Sequence, residues 1–137
     1  MNEDCIFCKI VQGKIPCWKI HEDKDFLAFL DIHPISSGHA LIVPKKHCEN
    51  ILDFPKSEES DLIELIKKVA KAVVAATGAD GFNVGLNNGE AAGQVIHHAH
   101  FHIIPRFDGD GLSSWPNKEY KKGEIDEMQK KIKNFLR

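Results

Sequence analysis

An α+β domain, with its strands in an antiparallel sheet and its helices gathered to one side, is the fold class that the sequence predicts. Three observations carry it. Short β-prone runs bounded by turn residues lie on both sides of one long amphipathic helical stretch. A polar turn, too short for a crossover helix, separates the last two strand runs. The 137 residues contain no internal repeat and no linker, so 1–137 reads as a single domain with a core of its own.

The elements follow in order. Cys5 to Val11 reads as a short helical turn or knuckle, closed by Gly13 and Pro16. Trp18 to His21 and Phe26 to Ile32 read as strands around the polar turn 22–25, and His39 to Val43 as a third strand that stops at Pro44. Beyond Pro55 the first long helix is predicted, with Ser57 as N-cap, Glu58, Glu59 and Asp61 in the first turn, and Gly78 as its stop. Leu62, Ile66, Val69 and Val73, joined by Ile63, Ala70 and Val74, give it a broad apolar face. Phe82 to Asn87 is a fourth strand, 88–93 a turn, and Val95 to Ile104 a fifth strand. The segment 105–116, rich in Gly and Asp, is a loop, and Ile125, Met128, Ile132 and Phe135 mark a C-terminal helix.

Composition narrows the function. A net charge of −2 lacks the basic footprint of a nucleic-acid binder, so the charge of an anionic ligand has to be met locally. No apolar run approaches the length of a membrane span, and Met1 to Asp4 has no signal-peptide layout, so a cytoplasmic protein is expected. There Cys5 and Cys8 read as metal ligands or free thiols rather than disulfides. Cys17 and Cys48 read as small apolar residues.

Residues 98–104 run His98, Ala99, His100, Phe101, His102, Ile103, Ile104. On a strand, successive side chains point to opposite faces, which directs Ala99, Phe101 and Ile103 into a core and lines the three imidazoles along the other face. One histidine is usually a hydrogen-bonded structural residue, and a His-rich tract can be a simple chelator. Three at period two in an apolar strand, behind a Gly-containing turn, point to a site where neutral imidazole serves as nucleophile, base or ligand.

This pattern resembles the signature of the histidine triad superfamily of nucleotide hydrolases and transferases. Cys5 to Ile10, Leu27 to Ile32, Gly38-His39, Val43 to His47 and Asn87 to Gln94 resemble it too, in order and spacing, and the small nucleotide-binding branch with its bacterial Hit-type members is the best match. The resemblance implies a five-stranded antiparallel sheet with two helices per subunit, the sheets joined across a homodimer. It implies a hydrolase of purine nucleoside phosphoramidates working through a nucleotidyl-histidine. A dinucleoside polyphosphate hydrolase and a nucleotide-binding scaffold with little turnover are the alternatives.

Residue by residue, His100 matches the family nucleophile, His102 the position on the phosphate and leaving-group side, and His39 a fourth histidine of the network. Asp31 matches the carboxylate that takes the ribose hydroxyls. Asn87, Gly93, Gln94 and Val95 fall near the phosphate and ribose, Val95 where many relatives carry a hydroxyl residue. Ile6, Phe7, Ile10, Phe29, Ile32 and Leu41 fall where the family lines its purine pocket. The two-residue gap between Cys5 and Cys8 suits a zinc knuckle, for which the resemblance supplies His47 and His98 as the other ligands of a closed structural site. A pair of reduced cysteines without metal is the rival. Trp115 lies where relatives carry an aromatic residue near the partner subunit's site.

Overall fold

The computed structural model describes residues 2–113 and 115–136. A six-residue helix, α1 (Ile6–Val11), precedes the strands β1 (Lys19–Glu22), β2 (Phe26–Leu30) and β3 (Ala40–Pro44). The long helix α2 (Glu59–Thr77) follows, then β4 (Gly81–Gly85), β5 (Phe101–Arg106) and the C-terminal helix α3 (Glu124–Phe135). The five strands form one sheet in the order β1-β2-β3-β5-β4, antiparallel at every pairing.

The sheet's middle is covered on both faces, which explains why β2 and β3 read Phe-Leu-Ala-Phe-Leu and Ala-Leu-Ile-Val-Pro without a polar partner to each apolar residue. Phe26, Ala28, Ala40, Ile42, Phe101 and Ile103 pack under Leu62, Leu65, Val69 and Val73 of α2. Leu27, Phe29, Leu41 and Val43 point the other way, against Phe7 and Cys8 of α1. Gly78, at φ 71°, ends α2 in the left-handed conformation predicted for it.

Several boundaries differ from the sequence reading, each for a physical reason. The strand placed at 95–104 begins only at Phe101, because β3 reaches no further than an Ile42–Phe101 pairing, and residue 99 instead donates its N–H to the Cys48 carbonyl. It runs on to Arg106 through Pro105, which is tolerated because the β3 ladder has ended at Ala40–Ile103 and leaves no donor required there. Ser57 is not the N-cap of α2: it sits inside a 3₁₀ turn, Lys56–Glu58, and the helix starts at Glu59 with no side-chain cap. Ile63 is exposed and so is not part of the packed face. In α3 the apolar residues Ile125, Met128, Ile132 and Phe135 are all exposed. No helix among the described residues is long and apolar enough to cross a membrane.

Candidate active site

On the α1 side of the sheet a cavity of about 520 Å³ opens over β2, β3 and the histidine segment. Ile6, Phe7, Ile10, Phe29, Asp31, Ile32, Leu41, Asn87, Gly93 and Val95 line it, together with His100 and His102. Its walls are mostly aliphatic and aromatic, with a few polar groups among them, the usual composition of a small-molecule site. The residues 13–17 add Ile15, Pro16 and Cys17, and the segments 30–33 and 95–96 add Leu30, His33 and Ile96. None of these six is expected at the site from the sequence, where Pro16 reads as a breaker and Cys17 as a small apolar residue. Apart from Leu30 at the end of β2, they come from irregular backbone with no period, and Pro16 after the Gly13 break is the one signal that the chain turns back there.

The histidines are ordered by a chain of hydrogen bonds that fixes which nitrogen carries each proton. Nδ1 of His100 lies 2.7 Å from the His98 carbonyl oxygen, which can only accept, so Nδ1 is the protonated nitrogen and Nε2 keeps its lone pair. The Ile35 N–H donates to Nδ1 of His39 at 3.1 Å, leaving Nε2 of His39 to donate to Nδ1 of His102 at 2.9 Å. His102 therefore carries its proton on Nε2, a buried atom with no partner among the described residues. The rings of His100 and His102 are 5.0 Å apart between centroids, and both face the cavity. Phe7 stands edge-on to His100 at 5.1 Å.

Burial keeps these rings neutral. It lowers His39 and His100 below the ordinary imidazole range, the nearby Asp31 carboxylate pulling against it in each case. It drives His102 down to about 4, helped by repulsion from His100 and His39. Asp31 accepts the His33 N–H on Oδ1, while its Oδ2 lies 3.7 Å from Nε2 of His39, beyond a hydrogen bond. One carboxylate oxygen is thus left for a ligand in the cavity.

Gln94 departs from its expected place. Its side chain is buried behind the turn: Oε1 accepts the Gly89 N–H at 2.8 Å, and Nε2 donates to the carbonyls of Glu49 and Ile96 at 2.6 and 3.1 Å. Its amide is spent on shaping the 89–94 loop, which brings Gly93, at φ 89°, against the Asn87 amide in the cavity wall. Val95 is 84 % exposed and Ile32 68 %, so both form the rim rather than the floor. Trp115 is exposed, apart from this cavity, beside a second hollow along β4 that also reaches His102.

Next to His100, around His98, lies a second cluster. One donor atom each from Cys5, Cys8, His47 and His98 falls within 4.8 Å of the others. Nδ1 of His98 is 3.3 Å from Cys5 Sγ, 3.6 Å from Cys8 Sγ and 3.2 Å from Nδ1 of His47, itself 3.3 Å from Cys8 Sγ. Nε2 of His98 lies 2.8 Å from the Pro44 carbonyl and donates to it, so Nδ1 is left as a lone pair directed at the sulfurs. Burial pushes the His98 ring down to about 4, so it is no cation there. A tetrahedral zinc with two sulfur and two nitrogen ligands needs donor edges of about 3.3–3.7 Å. The donor set and its spacing fit such an ion.

This arrangement of sheet, cavity and aligned histidines is that of a HIT-fold protein. The HIT domain family model matches residues 12–109, and the chain belongs to that family. It is 44 % identical over 135 residues to the adenosine 5′-monophosphoramidase of Schizosaccharomyces pombe, covering 97 % of this chain and 98 % of that one. Its fold matches a solved structure from Streptococcus mutans UA159 with a TM-score of 0.92 and 39 % identity, over 100 % of this chain and 88 % of that one. A zinc-bound histidine triad family protein from Mycobacterium smegmatis matches with a TM-score of 0.76 and 33 % identity over 96 % of each chain.

Proposed function

We propose that the protein hydrolyses purine nucleoside phosphoramidates, of the AMP-amine or AMP-lysine type, through a nucleotidyl intermediate on His100. The observation that carries this reading is the Nδ1–H bond from His100 to the His98 carbonyl, which leaves Nε2 as a neutral lone pair facing the cavity. The nucleoside sits between Phe7, Phe29 and Leu41, with Asp31 Oδ2 on the ribose hydroxyls. Nε2 attacks the α-phosphorus, the phosphorus–nitrogen bond breaks, and the departing amine takes one proton from a His102 imidazolium formed by proton uptake as the anionic substrate binds, which returns that ring to the neutral form. The bound phosphate anion raises the proton affinity that burial has lowered at His102, and His39 holds the ring from behind. Water then attacks phosphorus and gives a proton to the neutral His102, the bond to His100 Nε2 breaks, and the nucleoside monophosphate leaves. The S. pombe relative's activity name supports the reaction class.

We further assign zinc to Cys5, Cys8, His47 and His98. Bound there it supplies a cross-link and no chemistry, since four protein ligands leave no open position. A homodimer completes the reading, with β4 as a free sheet edge bearing the exposed Phe82 and Val84. The experiment is turnover of a fluorogenic adenosine phosphoramidate by wild type and His100→Asn, with 5′-AMP affinity measured in parallel. The variant is expected to lose at least about 10³-fold in kcat while it still binds 5′-AMP. Retained turnover refutes the reading, and faster cleavage of diadenosine polyphosphate by wild type reassigns the substrate.

A further inference from the structure

Residues 2–15 are tied to the rest of the molecule in an unusual way. Among the described residues, their backbone hydrogen bonds outside α1 itself all close within the segment: Cys5 to Asn2, Lys9 to Cys5, Gln12 to Cys8, Gly13 to Ile10, and Lys14 and Ile15 to Lys9. The polar links that leave it are the two sulfurs, Cys5 to His98 and Cys8 to His47 and His98. The remaining attachment is apolar, chiefly Phe7 and Cys8 against Leu27, Phe29, Leu41 and Val43. A helix of six residues has no stability of its own in water.

That same segment is one wall of the cavity. Ile6, Phe7, Ile10 and Ile15 line it, and Cys5 caps α1 by accepting the Cys8 N–H on its sulfur. His98 and His100, in contrast, are held by the sheet side: His98 by the Pro44 carbonyl, residue 99 by the Cys48 carbonyl, and Phe101 onward by two ladders. We infer that zinc at Cys5, Cys8, His47 and His98 sets the affinity for the nucleoside by pinning the α1 wall, while the nucleophile keeps its orientation without it. The inference rests on the reading of cavity and cluster given above, and makes Cys5 and Cys8 positioning residues for substrate. The protein then binds its nucleotide tightly only when zinc is available.

The test compares zinc-loaded wild type, zinc-stripped wild type and His47→Ala, the last removing a ligand that lies outside the 2–15 segment. Calorimetry gives the 5′-AMP Kd, regional amide exchange locates any loosening, and saturating-substrate turnover gives kcat. The two zinc-poor forms are expected to show a Kd raised about tenfold or more and kcat within about threefold of the loaded enzyme. Exchange protection should fall in residues 5–15 and persist in β2, β3 and β5, and zinc should restore the stripped wild type. An unchanged Kd, a loss of protection spread through the sheet, or no zinc taken up each overturns the inference. Absence of 5′-AMP binding by the loaded wild type overturns the nucleotide reading itself, and this inference with it.

Discussion

Folding stability is expected to fall between pH 7.5 and pH 5, driven by histidines that are buried neutral. His98 and His102 are each held down to about 4, and His39 and His100 are lowered as well, in every case first by burial. An unfolded chain binds a proton at each of these near pH 6.5 and the folded chain does not, so the unfolded state holds more protons and stability rises with pH across this window. His98, fully buried, contributes about 2 kcal/mol of loss from pH 7.5 to 5. His102 is partly accessible and is coupled to His39 through their shared proton, and solvent screening reduces its share to about 1 kcal/mol. Together they lower Tm by about 10 °C in a domain of this size. Glu58 opposes them: burial raises its carboxyl, so its destabilisation is relieved as pH falls, and a Glu58→Gln background removes that contribution. The assay is thermal unfolding by circular dichroism at pH 7.5, 6.5, 5.5 and 5.0 with free zinc held negligible. A Tm that stays level over this range refutes the assignment of neutral buried rings, and His102→Asn should flatten the profile without abolishing it.

Two further outcomes follow from single contacts. Gly38→Ala should destabilise by about 2–4 kcal/mol in chemical denaturation, since an added Cβ meets Thr77 Cγ2 at 2.6 Å and the residue sits at φ 100°. Asp31→Asn should weaken 5′-AMP binding by about tenfold and 2′-deoxy-AMP binding by less, because the charged acceptor for the ribose hydroxyls is removed; equal losses for the two nucleotides in calorimetry would contradict that role.

The histidine segment was legible because its alternation survives even where the ladder does not. His98 and His100 precede the strand, yet Ala99, Phe101 and Ile103 still enter the core under α2 while the imidazoles take the opposite face. The apolar lining was legible in part: Phe7, Phe29 and Leu41 fall in elements with clear patterns, whereas Ile15, Pro16, Cys17 and Ile96 reach the cavity through irregular backbone. Gln94 shows the limit from the other direction. Its match to a family position near the phosphate and ribose implies a ligand contact, but its three hydrogen bonds run to Gly89, Glu49 and Ile96, and Glu49 lies too far away in sequence for any local pattern to register it. The tautomers were equally hidden, because the donor that sets the His39–His102 pair is the backbone N–H of Ile35.

The two faces of the sheet divide the work in a way that makes the cavity possible. On one face α2 spans the strands with an apolar stripe packed on β2, β3 and β5. The other face is covered only over β2 and β3, by one helical turn and a half, so space remains in front of His100 for a ligand. A wall that small has too little buried apolar surface to fix itself, and the chain supplies sulfur and imidazole where a larger protein would add a second helix. His98 links the weak wall to the sheet: its ring turns toward the sulfurs of that wall, while its main-chain carbonyl fixes the proton on His100. Replacing His98 removes both a ligand of the sulfur and imidazole cluster and the ring's bond to the Pro44 carbonyl, which anchors the backbone whose carbonyl orients His100. It should therefore impair nucleotide affinity and nucleophile geometry at once, whereas replacing His47 should impair affinity alone.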